Sequence, residues 1–365
     1  MIWFLLIDLT GLICGLLLFW HRRILPRHGD PAADVILSVI IPARNEACNL
    51  SFLLESLKKQ SRLPDEIIVA DDDSTDQTVA IAQNFGVRVL SLRDKPAGWL
   101  GKSWACQQGA ENARGDLYLF LDADVTLDPE AIARLLAARS ATQGVVSVLP
   151  WHKVRKPYEY FSLFFNLIQI AGNGSGLPFK TSHAGLFGPL ILISRDEYDR
   201  VGGHQTVKQY VVEDLAFGRA LAARNIKDSL YYGDGDVSYR MYGGGVRDLA
   251  RGWMKNMAAG ASQTPALMLV MALIWVTGCF GCIFDTIRIM VSGDLTLIGP
   301  AIALIVCFVM LLVYAARQAG DFHPLAILIY PIWLLAFLIL FVLSLICKIL
   351  GLKVIWKDRK VDPCK

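Results

Sequence analysis

The sequence predicts an α/β fold with a doubly wound, mostly parallel sheet, flanked by N-terminal and C-terminal transmembrane helices. Short apolar runs alternate with helical segments between residues 35 and 121, a pattern typical of parallel sheets with crossover helices. Polar clusters at 44–46, 71–76 and 122–124 follow predicted strands. Hydrophobic residues make up 54% of the 365 residues and concentrate at 1–20 and beyond 265, which indicates a membrane protein.

Residues 1–23 are predicted to form a retained transmembrane signal anchor. Ile2 to Trp20 is almost unbroken apolar sequence followed by His21-Arg22-Arg23, which is long enough to span a bilayer. Cations after the helix place the next segment in the cytoplasm. A cleaved signal peptide is disfavoured because no basic region precedes the run and no clear cleavage site follows it. Residues 24–34 are predicted to be a linker.

Residues 35–260 are predicted to form the catalytic domain. Its first strands are expected at 35–41, where Pro42 ends the strand, and at 66–70, 87–90 and 117–121. Helices are expected at 49–60, 77–85 and 101–112, and the later elements at 130–139, 144–149, 190–194 and 211–224. The aromatic segment 158–171 reads equally well as an interfacial helix, a wall of an acceptor channel or a core helix.

Asp122 and Asp124 follow the apolar strand 117–121 with one small residue between them. Two carboxylates so placed can share a hard divalent cation, and Mg²⁺ keeps coordination positions for phosphate oxygens. The alternative is a polar strand end that opens a turn. The carboxyl ends of parallel strands share one edge of a sheet, where open α/β sheets bind ligands. We therefore expect the three polar clusters to meet there, which favours a metal site for a nucleotide diphosphate.

Four motifs resemble, in order and spacing, those of the family 2 glycosyltransferases with a GT-A fold: Pro42-Ala-Arg-Asn-Glu46, Asp71-Asp-Asp-Ser-Thr-Asp76, Gly101-Lys102 and Asp122-Ala-Asp124. The resemblance implies a UDP-sugar donor. It implies Mg²⁺ or Mn²⁺ at Asp124 and Asp122, neutralising the diphosphate leaving group. Asp73 stands where the family commonly has Gly. The donor nucleotide contacts that the resemblance implies are Pro42, Arg44, Glu46, Asp72, Lys102 and Asp122.

Glu213 and Asp214 begin a predicted helix, and the family resemblance assigns the catalytic base to this pair. Asp214 is the expected base of an inverting transfer, with Glu213 in a supporting role. The alternative is an acidic pair that interacts with the helix dipole.

The run Arg247-Asp-Leu-Ala-Arg-Gly-Trp253 differs from the Gln-x-x-Arg-Trp motif of processive members of the family. Gly252 separates Arg251 from Trp253, which favours transfer of a single sugar. His183, Arg251 and Trp253 are candidates for contacts with the acceptor or the diphosphate.

Three further apolar runs, at about 266–291, 296–316 and 324–350, assign residues 265–350 to membrane helices. If each crosses once, the C-terminus lies outside, yet cations cluster in the tail 351–365 and cations favour the cytoplasm. We expect a cytoplasmic tail, with one run not crossing fully. The predicted location is the plasma membrane, multi-pass, with a cytoplasmic catalytic domain. The eight cysteines form no visible disulfide framework.

Membrane helices on both sides of the domain imply a lipid acceptor. Gly101-Lys-Ser-Trp-Ala-Cys-Gln-Gln-Gly109 and Phe187-Gly-Pro189 are among the motifs that resemble family members which glucosylate carotenoid carboxylates. The alternatives are transfer to polyprenyl phosphate, diacylglycerol, a hopanoid or a ceramide-like lipid, and a non-catalytic membrane protein that binds nucleotide. The net charge of +3 gives no reason to expect nucleic acid.

Overall fold

The computed structural model describes residues 2–27, 35–179, 184–352, 354–356 and 359–361. The strands are β1 (Leu37–Ala43), β2 (Glu66–Asp71), β3 (Arg88–Ser91), β4 (Leu117–Leu121), β5 (Val125–Leu127), β6 (Val145–Leu149), β7 (Trp151–His152), β8 (Leu190–Ser194), β9 (Asp228–Tyr232), β10 (Val237–Tyr239), β11 (Val354–Trp356) and β12 (Arg359–Val361). The α-helices are α1 (Ile2–Leu18), α2 (Leu50–Lys58), α3 (Thr78–Asn84), α4 (Gly101–Glu111), α5 (Ala131–Thr142), α6 (Leu163–Asn173), α7 (Arg195–Val201), α8 (Glu213–Ala222), α9 (Val246–Gln263), α10 (Ala266–Ser292), α11 (Leu295–Ala319), α12 (Pro324–Ile327) and α13 (Tyr330–Ile349). Short 3₁₀ helices cover Pro157–Ser162 and Gly203–Val207.

The chain divides into two compact units. The sheet unit consists of Arg23–Lys153, Gly185–Gly243 and Cys347–Lys365. The helical unit consists of Met1–Arg22, Val154–Ala184 and Gly244–Ile346. The helical unit is therefore assembled from three separate stretches of sequence. The division predicted from composition, at 1–23, 24–34, 35–260, 265–350 and 351–365, remains a prediction about function and membrane topology.

The main sheet has the strand order β3-β2-β1-β4-β8-β6-β9. β1 lies between β2 and β4 and is parallel to both. The exception to the parallel arrangement is β8, which pairs antiparallel with β4 and β6. The central strands are apolar on both faces, and β4 is buried at every position, as expected for a sheet covered on both sides. The predicted mostly parallel α/β sheet is confirmed.

Pro42 does not end the first strand, contrary to the prediction. β1 continues through Ala43, and Pro42 pairs with Ala70 of β2. On the other side, the ladder with β4 ends at the pair Ile40–Phe120. A proline is tolerated where the ladder needs no N–H donor, and the ladder with β4 has already ended at this position.

A small second sheet was not anticipated from the sequence. Its order is β5-β10-β7, with β10 antiparallel to β5 and parallel to β7. β9, at one edge of the main sheet, was also missed. The strands of the small sheet, with two or three residues each, carry too short a period to be recognised in sequence.

Among the residues that the structure describes, the helical unit contains three helices long and apolar enough to cross a membrane, at Ala266–Ser292, Leu295–Ala319 and Tyr330–Ile349. α1 is a shorter apolar helix that packs against α10. Their backbones approach closely at Gly11 and Gly278, where a Cβ atom on Gly11 would lie 2.9 Å from the Gly278 Cα atom. Close approach through small residues is typical of helix packing in membranes.

The aromatic segment predicted at 158–171 is a core element of the helical unit. α6 buries Phe164, Phe165, Leu167 and Ile170, and it packs against α10 and α11. Of the three interpretations left open by the sequence, the structure supports the core helix.

Candidate active site

The carboxyl ends of β1, β2 and β4 meet at one edge of the main sheet, as predicted. Both ladders of β1 are parallel, so Ala43, Asp71 and Leu121 end their strands on the same side. The connection is direct, since the backbone N–H of Asp72 donates to the Ala43 carbonyl at 2.8 Å. The sheet also reverses its strand order here, between β1 and β4, the position where α/β sheets bind ligands.

Arg44 holds the loop that carries Asp72. Its guanidinium donates to the backbone carbonyls of Asp72 and, at 2.8 Å, Asp73. The neighbouring Asn45 accepts a hydrogen bond from the Thr75 backbone N–H at 2.9 Å. The two strand-end loops are therefore cross-linked by hydrogen bonds. Arg44 holds this loop, and its predicted contact with the nucleotide stays a prediction.

Asp73 has a backbone φ of 59°, in the left-handed region that favours Gly. The resemblance to family 2 glycosyltransferases had marked this position as one where Gly is common. Asp is among the residues that tolerate this conformation. The loop thus keeps the backbone shape of the motif while adding a negative charge.

Glu46 lies at the same edge. Its backbone N–H donates to the Thr78 hydroxyl at 2.8 Å, and its carboxylate accepts from the Asn49 side chain at 3.0 Å. The charge of Glu46 contributes to raising the pKa of Asp122. β1 and β4 are parallel neighbours, so the first and third polar clusters follow adjacent strands at this edge.

Lys102 is the centre of the site. It lies in the first turn of α4, and its ammonium contacts both carboxylate oxygens of Asp122, at 2.8 and 2.9 Å, and the carboxylate of Glu213 at 3.0 Å. Burial opposes its charge, but Asp122 and Glu213 raise the pKa of Lys102 well above its usual value. Burial raises the pKa of Asp122 while Lys102 lowers it. Lys102 therefore joins the predicted donor residues to the predicted catalytic pair.

Asp214 is held by the backbone rather than by a cation. Its Oδ2 atom accepts from the Gly188 N–H at 2.8 Å, and Oδ1 accepts from the Leu215 N–H at 2.9 Å. Burial and the neighbouring Glu213 raise the pKa of Asp214 to about 6. A carboxylate so held is fixed in direction and has a pKa close to neutral pH, two properties expected of a general base.

Asp124 begins the turn into β5 and is half-buried. Its backbone carbonyl accepts from the Arg240 N–H at 3.3 Å, which ties the turn to the end of β10. Burial and the charge of Asp124 raise the pKa of Tyr239. Within the described ranges, no group of three or more His, Cys, Asp or Glu side chains could by itself hold a metal ion.

The structure does not bring every candidate residue into this site. His183 lies outside the described residues. Arg251 and Trp253 belong to α9 of the helical unit, where Trp253 is buried and stacks on Phe165 with ring centroids 4.4 Å apart. Their roles with acceptor or diphosphate remain predictions.

Gly188 was missed by the sequence analysis as a functional residue. A Cβ atom at this position would lie 2.8 Å from the Asp214 Oδ2 atom, so a side chain here displaces the carboxylate. The signal in the sequence was the Phe187-Gly-Pro189 turn, which was noted only as part of a resemblance. A glycine before a proline marks a tight turn, and here the turn brings its N–H group to Asp214.

Comparisons with known proteins show the family to which the chain belongs. The sequence profile described as Glycosyl transferase family 2 matches residues 38–187. A 4,4'-diaponeurosporenoate glycosyltransferase from Staphylococcus haemolyticus is 36% identical over 280 residues, 74% of this chain and 74% of the relative. The chain is a family 2 glycosyltransferase. A second relative of the same name, from Staphylococcus aureus strain MRSA252, is 30% identical over 340 residues, 92% of this chain and 90% of its own.

The fold of the transferase is similar to that of a mannosyltransferase from Pyrobaculum calidifontis, whose structure contains GDP-Man and Mn²⁺. The TM-score is 0.55, and the match covers 87% of this chain and 98% of the other at 16% identity. This likeness supports the GT-A fold. Family membership makes the protein an enzyme and removes the alternative of a non-catalytic membrane protein that binds nucleotide.

Proposed function

We propose that the transferase moves glucose from UDP-glucose to the carboxylate of a carotenoid-type acid in the membrane, with inversion at the anomeric carbon. The observation that carries the transfer chemistry is the connected set Asp122, Lys102, Glu213 and Asp214 at one sheet edge. The acceptor class follows from the names of the relatives, which match most of this chain. The apolar helices support an acceptor that partitions into lipid.

In this proposal the nucleoside binds along the cross-linked loops after β1 and β2. Asp72 is 3% exposed and hydrogen-bonds the uracil ring, while Pro42 and Glu46 contact the nucleoside. Arg44 acts indirectly by holding the Asp72 loop. Lys102 provides a positive charge for the diphosphate from the first turn of α4, a position that favours anions.

A divalent cation, Mg²⁺ or Mn²⁺, fits the residues present. Both oxygens of Asp122 already contact Lys102, so Asp124 is the direct protein ligand in this proposal and Asp122 supports it. Few protein ligands leave positions for diphosphate oxygens, as Mg²⁺ sites for nucleotides generally do. When bound, the ion neutralises the charge that develops on the leaving group.

The acceptor determines what Asp214 has to do. A carboxylic acid with a pKa of about 4–5 is ionised at neutral pH and needs no base. Asp214 is then not needed to deprotonate the acceptor. A hydroxyl acceptor, as in diacylglycerol, a hopanoid or a ceramide-like lipid, does need a base. The fixed orientation of Asp214 favours such an acceptor as the second candidate.

The proposed setting is the plasma membrane, with the catalytic domain and the basic tail in the cytoplasm. The supporting observations are the three apolar helices and the cations at Arg22, Arg23 and the end of the chain.

The direct test is a transfer assay with the purified full-length protein in lipid vesicles that contain a carotenoid carboxylic acid. With UDP-glucose and Mn²⁺ present, we expect a glucosyl ester in the lipid extract by mass spectrometry. Asp122→Ala and Asp124→Ala should each lower the rate at least about hundredfold, since both act on the developing diphosphate charge. Arg88→Ala, at a surface ion pair with Glu66 away from the site, is the control. Unchanged transfer in the two aspartate variants would contradict the proposal.

The two acceptor classes are separated by Asp214→Asn. We expect the variant to keep carboxylate transfer within about tenfold of wild type and to lose about 10²–10⁴-fold with a hydroxyl acceptor, the usual contribution of a general base. A wild-type enzyme that glucosylates only hydroxyl lipids would replace the first candidate with the second.

A further inference from the structure

Ser147 stands out in the sheet unit because it is a hydroxyl in an otherwise apolar strand. β6 reads Val-Val-Ser-Val-Leu and is buried at every position, with Ser147 itself 0% exposed. A buried hydroxyl is costly unless it is hydrogen-bonded. Its partners therefore indicate why a polar residue lies here.

Both partners of Ser147 are backbone groups of Phe187. The hydroxyl donates to the Phe187 carbonyl at 2.9 Å and accepts from the Phe187 N–H at 2.7 Å. Phe187 is itself 1% exposed, so water does not replace these bonds. One side chain on β6 thus fixes the direction of the loop that leads into β8.

The Phe187 carbonyl and the Gly188 N–H belong to the same peptide group. That group is planar, so fixing its carbonyl also fixes its N–H. The Gly188 N–H donates to Asp214 Oδ2 at 2.8 Å. The peptide is therefore bound at both ends, by Ser147 and by Asp214, and hydrogen bonds in such chains strengthen each other.

Other contacts of this loop point to the same site. The Gly188 carbonyl accepts from the Lys102 ammonium at 3.4 Å. At the start of the loop, a Cβ atom on Gly185 would lie 2.4 Å from the Leu215 Cα atom, which shows that the loop lies directly on the first turn of α8. A displacement of the loop therefore moves the groups that hold Asp214 and Lys102.

We propose that Ser147 is a positioning residue, which holds the Phe187–Gly188 peptide so that its N–H group orients the Asp214 carboxylate. The inference rests on the proposed role of Asp214 in transfer. Ser147 does not touch the reacting groups, and it acts through Asp214. Replacement of Ser147 should therefore lower the transfer rate only with acceptors that require Asp214.

The first test is a double-mutant cycle with a hydroxyl acceptor, for which Asp214 is proposed to be required. Ser147→Ala should lower kcat about tenfold to hundredfold with little change in KM for UDP-glucose, since small misplacements of a catalytic group have effects of this size. In the Asp214→Asn background, Ser147→Ala should have no further effect, because residues that act as a unit are not additive. Additive losses would overturn the inference. Ser147→Cys, which keeps a weak donor and a similar volume, should give an intermediate kcat and replaces the alanine variant if that variant does not fold.

Ser38→Ala is the matched control. Ser38 is also 0% exposed in a strand, and its hydroxyl accepts from the Gly115 N–H at 2.9 Å and donates to Glu66 at 2.8 Å. It lies near the amino end of β1, away from the site. We expect Ser38→Ala to lower the melting temperature as Ser147→Ala does, while kcat stays near wild type. Equal kcat for the two variants would also overturn the inference.

The second test measures how the melting temperature depends on pH. It needs no substrate and therefore separates this inference from the proposed function. Burial and Glu213 raise the pKa of Asp214 to about 6 from 3.8, while Lys102 and the hydrogen bonds from Leu215 and Gly188 lower it. A carboxyl group whose pKa is higher in the folded state than in the unfolded state destabilises the fold when it is ionised. The free energy of unfolding therefore gains from Asp214 as pH falls through about 6 towards 3.8.

Loss of the Gly188 hydrogen bond in Ser147→Ala should raise the pKa of Asp214 further. The gain in melting temperature as pH falls from 8 to 5 should then be larger than in wild type. It should not be larger in Ser147→Ala combined with Asp214→Asn than in Asp214→Asn alone. An unchanged pH dependence in Ser147→Ala overturns the inference whatever the enzyme transfers, whereas an absence of transfer by wild type overturns only the proposed function.

Discussion

At the residue scale, the carboxylates of the site differ in the groups that they contact. Asp122, Glu213 and Asp214 interact electrostatically with Lys102, and Glu46 interacts with Asp122. One ammonium contacts two of these carboxylates directly, and Asp214 is held by backbone N–H groups instead. The different partners explain why neighbouring acidic residues of one helix can have different functions.

Substitution of the central cation should affect both stability and donor binding. Lys102→Met leaves Asp122 and Glu213 partly buried without their shared positive charge. We expect a loss of about 1–2 kcal/mol in the free energy of unfolding, reduced from the value for a fully buried pair because the Lys102 side chain is 34% exposed. We also expect weaker binding of UDP-glucose, measured by isothermal titration calorimetry. Lys58, the last residue of α2, lies over the Phe85 ring, and Lys58→Met should leave donor affinity unchanged. Wild-type affinity in Lys102→Met would show that Lys102 does not face the diphosphate.

Asp73 offers a test of backbone shape in the same site. With φ at 59°, Asp73→Gly removes the steric cost of a side chain in the left-handed region, about 1 kcal/mol. Its ion pair with Arg44 spans 3.9 Å and is half-exposed on the aspartate side, so little is lost. We expect an equal or higher melting temperature and retained transfer, whereas Asp73→Val should melt lower because β-branched residues rarely adopt this conformation. A clear drop in the melting temperature of Asp73→Gly would mean that the ion pair stabilises the loop.

At the element scale, alternation of strands and helices predicted the parallel strands β1, β2 and β4 well because each is mainly apolar. β4 and β8 were predicted with their observed bounds, Leu117–Leu121 and Leu190–Ser194. The direction of β8, antiparallel to both neighbours, could not be deduced, since strand direction depends on which strands pair in space. The same limit hid β9 and the small sheet.

The close approach of α1 and α10 can be tested by adding a side chain at Gly11. A Cβ atom on Gly11 would lie 2.9 Å from the backbone of α10 at Gly278 and at Ile274. Gly11→Ala should therefore force the helices apart and lower stability by about 1–3 kcal/mol, the usual effect of overpacking. Gly299→Ala is the control, because a Cβ atom there meets nothing within 4 Å. Thermal unfolding in detergent measures both, and equal melting temperatures would contradict this packing.

At the scale of the whole molecule, the helical unit is discontinuous in sequence. It combines Met1–Arg22, Val154–Ala184 and Gly244–Ile346, so that α6, which lies between strands of the sheet unit in the chain, packs against α10 and α11. A cut at the end of the predicted domain 35–260 therefore does not separate the two units.

We therefore expect a truncated chain ending at residue 264 to be poorly behaved in solution. It retains α1 and α6 but lacks α10 and α11, and so uncovers apolar side chains of α6 such as Phe164, which stacks on Trp275 of α10. Large exposed apolar patches favour aggregation. Size-exclusion chromatography without detergent should show aggregates, and circular dichroism should show no cooperative melting transition. A monodisperse monomer with a cooperative transition would contradict this expectation.

The sequence by itself determined the family motifs, the apolar helices and the convergence of polar clusters at one sheet edge. These features follow from local composition, from periodicity and from the rule that parallel strands end on the same side. Only the tertiary structure decided that Lys102 bridges Asp122 and Glu213, that Arg44 holds a loop, and that Gly188 orients Asp214. These contacts join residues as far as 111 positions apart in the case of Lys102 and Glu213. Their partners are set by how the strands pair and the loops pack, which no local pattern specifies.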